Sequence, residues 1–187
     1  MSAQAAPDPH AVTIRAAHDH DLPAITAIYA HHVAHGFGSF EEVPPEFEEL
    51  ARRRREIVGK ELPYLVAADR EDGILGYAYA SPYRTRSAYR FTIEDSIYVA
   101  PDAARRGIGR LLLEALIERC TAAGYRQMIA VIGDSGNAGS IGLHESLGFA
   151  RAGLLPSIGF KRGRWVDGVL MQRALGAGDT SLPQERS

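Results

Sequence analysis

The 187 residues suit one domain with room for a sizeable core, and 45% hydrophobic with 24% charged side chains are ordinary globular values. A net charge of −2 gives no reason for a nucleic-acid partner, and the single cysteine, Cys120, excludes an intrachain disulfide and fits a reducing cytoplasm. No apolar run approaches the ~18 residues that cross a membrane, and the opening MSAQAAPDPH lacks the basic and apolar regions of a secretory signal.

Met1 to His10, rich in Ala and Pro, and Gly176 to Ser187, small and polar, read as disordered tails around one domain over residues 11–175. Val12 to Ala16 predicts a short strand. Asp19 to Ala34 predicts a helix capped by Asp19 or Asp21, with Leu22, Ile25, Ile28 and Tyr29 on one face. Pro45 to Gly59 predicts a second helix, with Pro and Glu early and Arg late. Tyr64 to Ala68 and Ile74 to Tyr83 flank an acidic turn as a hairpin, and Phe91 to Val99 is the next strand. A long helix follows and ends at Gly124. Gln127 to Ile132 is nearly all apolar, as a central strand should be. Asn137 to Leu147 is a short helix capped by Asn137 or Ser140 and ended by Gly148. Strands near Ala150 to Phe160 and Trp165 to Ala174 complete a β-α-α-β-β-β-α-β-α-β-β order without repeats, a mixed α/β sheet with helices against it.

The long helix starts in an unusual way. Arg105, Arg106 and Arg110 crowd its first turn, no acid appears before Glu114, and no Ser, Thr, Asp or Asn cap stands between Ala103 and Gly109. A helix N-terminus is the positive end of the macrodipole and favours the opposite pattern. Backbone N–H groups at Gly107, Ile108 and Gly109, with glycines that admit close approach, suit a phosphate or pyrophosphate. No Lys-Ser or Lys-Thr pair supports a P-loop. A dinucleotide fingerprint lacks its third glycine, because Leu112 stands there.

The run Ala104-Arg105-Arg106-Gly107-Ile108-Gly109 resembles the acetyl-coenzyme A motif of the GNAT acetyltransferase superfamily, Q/R-x-x-G-x-G/A between a strand and a helix, with Ala104 departing from its first position. GNAGSIGLHESLGF, Gly136 to Phe149, is similar to the superfamily's Asn-x-x-(Ser/Ala)…Gly-Phe helix. SPYRTRSAYRFTIEDSIYV and GFKRGRWVDGVLMQRAL resemble the phosphinothricin and methionine sulfoximine N-acetyltransferase group. The resemblance implies an α/β (α+β) fold. Its mixed, mostly antiparallel twisted sheet would have about seven strands, flanked by about four helices, and would splay where the pantetheine arm inserts.

It also implies acetyl-CoA as cosubstrate, no metal, a small amino acid as acceptor and a homodimer. Glu94 matches the family's base; it shares a strand face with Ser96, with Asp95 on the other. Backbone N–H groups of Ile97, Tyr98 and Val99 would face the pantetheine and the acetyl carbonyl. Asn137 and Ser140 would join Arg105, Arg106, Gly107, Ile108, Gly109 and Arg110 around the cosubstrate. His144 stands where many members carry a tyrosine general acid. Arg84, Arg86 and Tyr89, with Glu94, Asp95 and Ser96, would contact the acceptor. The loop His35 to Pro45, with Phe37 and Phe40, would form a lid. The alternatives are a related enzyme for another small amine and a non-catalytic acyl-CoA-binding module, which would need no base.

Two clusters carry other readings. The arginines of ARRRRE, Ala51 to Glu56, lie among helix acids that can pair with them rather than mark a nucleic-acid surface. His31, His32 and His35 lack the companion ligands of a metal site.

Overall fold

The computed structural model of the chain describes residues 11–184. The expected tail Met1 to His10 lies outside the described residues, as do positions 185–187. The elements are β1 (Thr13–Ala16), α1 (Leu22–His35), α2 (Phe47–Val58), β2 (Tyr64–Ala68), β3 (Ile74–Pro82), β4 (Thr92–Val99), α3 (Ile108–Ala122), β5 (Gln127–Gly133), α4 (Ala138–Ser146), β6 (Ala150–Lys161) and β7 (Arg164–Ala174). Among the described residues the strands form one seven-stranded sheet in the order β1-β2-β3-β4-β5-β7-β6. Every pairing is antiparallel except β4 with β5. The predicted order and fold class match the structure.

Side-chain alternation assigns the helices to the sheet's two faces. Tyr77 stacks on Tyr98, and Tyr98 meets the edge of Tyr29 from α1. On the opposite face Gly76 makes room for Leu112 of α3, whose Cδ1 would lie 3.2 Å from a Cβ there. β2 is buried along its whole length, which is why it reads as YLVAA without alternation. The core runs through Ile25, Leu65, Ile93, Leu112, Leu116, Met128 and Met171.

The helix ends differ from expectation in instructive ways. Asp19–Asp21 form a short 3-10 turn, and Asp21 does not cap α1. Its buried carboxylate accepts the His18 N–H at 2.7 Å and is held by both Arg15 terminal nitrogens, at 2.7 and 2.8 Å. α1 and α2 also lack a side-chain cap, so an uncapped start does not set α3 apart. Arg105 and Arg106 precede α3 rather than lie in its first turn; the helix begins at Ile108 behind a left-handed Gly107 (φ 80°). Asn137 is the α4 cap, its Oδ1 accepting from Ser140 N at 3.2 Å.

Three of the four arginines in the α2 run pair with acids of the protein. Arg52 pairs with Glu49 and Glu56, Arg53 with Glu49 and Glu41, and Arg54 with Asp19. Arg126 donates to the carbonyls of Gly178 and Ser181, at 2.7 and 2.8 Å, and ties these two positions to the foot of β5.

Candidate active site

The site arises where two parallel strands part. β4 and β5 pair from Thr92↔Gln127 to Asp95↔Ala130. Beyond Asp95, β4 stays on β3 through Val99↔Gly76, while β5 stays on β7 through Gly133↔Gly168. The opening is a cleft of about 1110 Å³, walled by Glu94 to Val99 on one side, Ala130 to Ile132 on the other, the start of α3, one face of α4 and the α1–α2 loop. A strand edge without a partner offers backbone N–H and C=O groups to whatever enters.

One end of the cleft suits an anion. Arg105 (φ 61°) and Gly107 (φ 80°) turn the chain so that the backbone enters α3 facing the opening. A Cβ on Gly107 would meet nothing within 4 Å, so the cradle is open. Arg105, Gly107, Ile108, Gly109 and Arg110 line the cleft, and Arg106 does not. Arg110 is shared with Glu114, at 2.9 Å, and Ser146 Oγ, at 3.3 Å. With no acid in its first turn, α3 presents its positive end to this space.

The middle of the cleft carries the acid–base groups. Glu94 is half-buried; burial raises its pKa, the charge of Asp95 raises it further, and Arg84 opposes both. Ser96 hydrogen-bonds Tyr79, its cross-strand partner. His144 is buried on α4, with Nε2 3.0 Å from Asp95 Oδ2 and Nδ1 2.7 Å from the Ser140 carbonyl. Burial works against its charged form, but Asp95 and that carbonyl outweigh it and leave the pKa above the ordinary imidazole value. Both ring nitrogens are therefore engaged, and His144 has no donor aimed into the cleft as a direct general acid requires. The Asp95 carboxylate lines the cleft and is paired with His144.

Other expected contacts divide in the same way. Phe37, Asn137, Ser140 and the Ile97–Val99 backbone line the cleft, whereas Arg84, Arg86 and Tyr89 do not. β3 ends at Pro82, and these three sit on the exposed connection to β4. Arg84 lies over the Tyr83 ring, 4.9 Å from its centroid, and reaches Glu94 only through its charge.

The α1–α2 loop is firmly seated. Lys161, buried at the β6–β7 hairpin, donates to the Ser39 carbonyl at 2.7 Å, and Tyr29 OH meets Ser39 Oγ at 3.0 Å. Arg162 donates to the His35 carbonyl, and the Arg164 guanidinium lies 3.8 Å from the Phe37 ring centroid. A Cβ on Gly133 would come 2.1 Å from the Phe37 carbonyl oxygen, so only glycine allows this seat.

Tyr29, His32 and Tyr79 also line the cleft and were not legible as site residues. His32 Nε2 donates to the Val99 carbonyl at 2.8 Å, and burial lowers its pKa. The available signal was its place three residues after Tyr29, on the buried face of α1. A smaller hollow of about 260 Å³ between α2 and β2–β3 shares Tyr29 and Tyr79 with the cleft but holds no expected site residue.

Known proteins are similar to this chain in sequence and fold. The model of the acetyltransferase (GNAT) family matches residues 25–149. A phosphinothricin N-acetyltransferase of Alcaligenes faecalis is 60% identical over 174 residues, covering 93% of this chain and 88% of that protein. An L-methionine sulfoximine/L-methionine sulfone acetyltransferase of Pseudomonas paraeruginosa is 42% identical, covering 86% and 92%. A crystal structure of a GNAT superfamily phosphinothricin acetyltransferase from Sinorhizobium meliloti, in complex with AcCoA, superposes with a TM-score of 0.90 at 49% identity, covering 93% and 94%.

Proposed function

We propose, from the premise that this chain belongs to the GNAT acetyltransferase family, that Glu94 is the base for acetyl transfer to the α-amine of a glutamate- or methionine-like amino acid. The chain is an acetyl-CoA-dependent N-acetyltransferase of the phosphinothricin and methionine sulfoximine type. One acetyltransferase domain spans residues 11–175 in this reading. The observation that carries the mechanism is the parting of β4 from β5, which puts a half-buried carboxylate and an open anion cradle in one cleft.

The cleft fits acetyl-CoA. The open space at Gly107, the uncapped α3 start, Arg105 and Arg110 suit the pyrophosphate of coenzyme A, and the unpaired edge of β4 suits the amide-bearing pantetheine arm. Asn137 and Ser140 lie along the same wall. The cosubstrate supplies the acetyl thioester, and this chain's residues supply position and proton handling.

An α-amine with a pKa near ~8 is mostly protonated at neutral pH, and only its neutral form attacks. Glu94 takes that proton, directly or through one water. Burial keeps its carboxylate more basic than an exposed glutamate, which brings it closer to the task. Backbone N–H groups of Ile97 to Val99 stabilise charge on the thioester oxygen. His32 fixes the Val99 carbonyl and so the end of this strand.

The enzyme acts in the cytoplasm as a homodimer. Leu154, Leu155, Ile158 and Phe160 of β6, with Trp165 of β7, expose an apolar ridge beside a strand that pairs on one side only. Such a ridge on an edge strand suits a second copy. Among the described residues, no helix is long and apolar enough to cross a membrane.

The test is thiol release from acetyl-CoA with L-phosphinothricin, L-methionine sulfoximine, glutamate, methionine, spermidine and an aminoglycoside as acceptors. Turnover saturates with the first two and is much weaker with glutamate. Glu94→Gln lowers kcat by about 10²- to 10⁴-fold with acetyl-CoA affinity nearly unchanged. Unchanged turnover in that variant removes Glu94 from the mechanism. Cofactor binding without turnover on any amine favours a binding module instead.

A further inference from the structure

His144 and Asp95 form a buried pair whose protons can be counted from geometry. A backbone carbonyl only accepts hydrogen bonds, so His144 Nδ1, 2.7 Å from the Ser140 carbonyl, must carry a proton. Nε2 lies 3.0 Å from Asp95 Oδ2. A proton on Nε2 as well makes the ring an imidazolium beside a carboxylate; otherwise Asp95 must hold the shared proton. The second Asp95 oxygen, Oδ1, is buried without a hydrogen-bond partner. An unsatisfied carboxylate oxygen leaves the adjacent cation as the pair's main source of stabilisation.

The surroundings leave this pairing undisturbed. Phe149 meets the His144 ring edge-on, with centroids 5.0 Å apart. The charged groups packed around α4 have their own partners: Glu145 pairs with Arg151 at 3.0 Å, Arg110 pairs with Glu114, and Arg173 donates to the Leu147 carbonyl. On β4, Glu94 is the next residue along the strand and feels Asp95 on one side and Arg84 on the other.

We infer that Asp95 and His144 act as one buried charge pair that governs the protonation of Glu94, and that Asp95 is a positioning residue rather than an acceptor contact. This rests on the reading of Glu94 as base. Asp95 holds His144 doubly protonated and places a negative charge one residue from Glu94. The like charge adds to burial in raising the Glu94 pKa, and the charge of Arg84 opposes both.

The first experiment needs no substitution: nitrogen-15 spectra of the His144 ring at pH 7. Two ring protons and imidazolium shifts support the pair; a neutral ring with one proton overturns it. The second compares pH profiles of kcat and kcat/KM for the native enzyme, Asp95→Asn and Asp95→Glu. The amine's own deprotonation enters each profile equally, so a displacement between enzymes reports the protein. Asp95→Asn removes the nearby negative charge, and its acid limb moves to lower pH by about half a unit or more; Asp95→Glu moves it back toward the native position. A merely structural Asp95 would lower the melting temperature without moving the limb. Glu94→Gln separates the two readings. Retained turnover there overturns the base assignment. An inactive Glu94→Gln with an unmoved Asp95→Asn limb overturns the charge pair alone.

Discussion

Asp21 illustrates how a single carboxylate can hold a corner of the fold. Burial works against its charge, but two Arg15 hydrogen bonds and the His18 N–H outweigh that cost and hold its pKa below the ordinary 3.8. A group with a depressed folded pKa stabilises fully above its unfolded value and loses that contribution as pH falls through the folded value. Denaturant unfolding from pH 7 to pH 2 therefore shows native stability falling below about pH 4, where Asp21 contributes. Asp21→Asn loses about 2 kcal/mol at pH 7, because it removes two charged hydrogen bonds and leaves Arg15 with Asp72 as its carboxylate partner, and its acid dependence is shallower. An acid limb as steep as the native one would remove Asp21 from this account. The sequence offered Asp19 or Asp21 as the helix cap because Asp before an apolar period usually is one. Its partner, Arg15, lies on the preceding strand, and that tertiary pairing has no local signal.

At the scale of elements, β5 is the most informative. Gly133, at its end, touches the Phe37 carbonyl so closely that a methyl group there must displace the α1–α2 loop. Gly133→Ala should raise KM for the amine acceptor about tenfold or more, with a much smaller change in acetyl-CoA affinity. Equal effects on both substrates would mean that the loop serves the whole cleft. Element boundaries were largely legible because the punctuation is local: Gly124 and Gly148 adopt φ of 83° and 82° where the helices stop. The parting of β4 from β5 was not legible from residues alone, since each strand reads as an ordinary apolar run. It follows from which neighbours each strand keeps, and only the resemblance to a splayed fold anticipated it. The arginines at 84 and 86 show a related gap between local chemistry and placement. Their chemistry suits a carboxylate, but the end of β3 at Pro82 leaves them outside the cleft.

For the whole molecule, the exposed ridge on β6 and β7 sets the expected assembly. Ile158 and Trp165 are 59% and 63% exposed, unusual for side chains of that size in a monomer. Ile158→Asp combined with Trp165→Asp should convert a dimer to a monomer in sedimentation velocity, with the fold retained by circular dichroism. A native chain that already sediments as a monomer would refute the dimer. The α3 turn and the α4 cap were legible because each belongs to a short contiguous stretch, and the place of Glu94 on β4 was legible from alternation. The Asp95–His144 pair and the Lys161 seat were not. They join positions 49 and 122 residues apart in sequence and exist only once the sheet has formed.

The seat of the α1–α2 loop has a consequence for changing what the enzyme accepts. Phe40 packs over Gly159 so closely that a Cβ there would come 2.4 Å from its ring, and Lys161, Arg162 and Arg164 hold the backbone and ring beside it. The loop and the β6–β7 hairpin are thus one inheritable module written in two distant pieces. A graft of residues 36–42 from a relative with another preference carries half of that module. Neutral drift at 159 or 161 would in turn decide which loop sequences the fold can explore next.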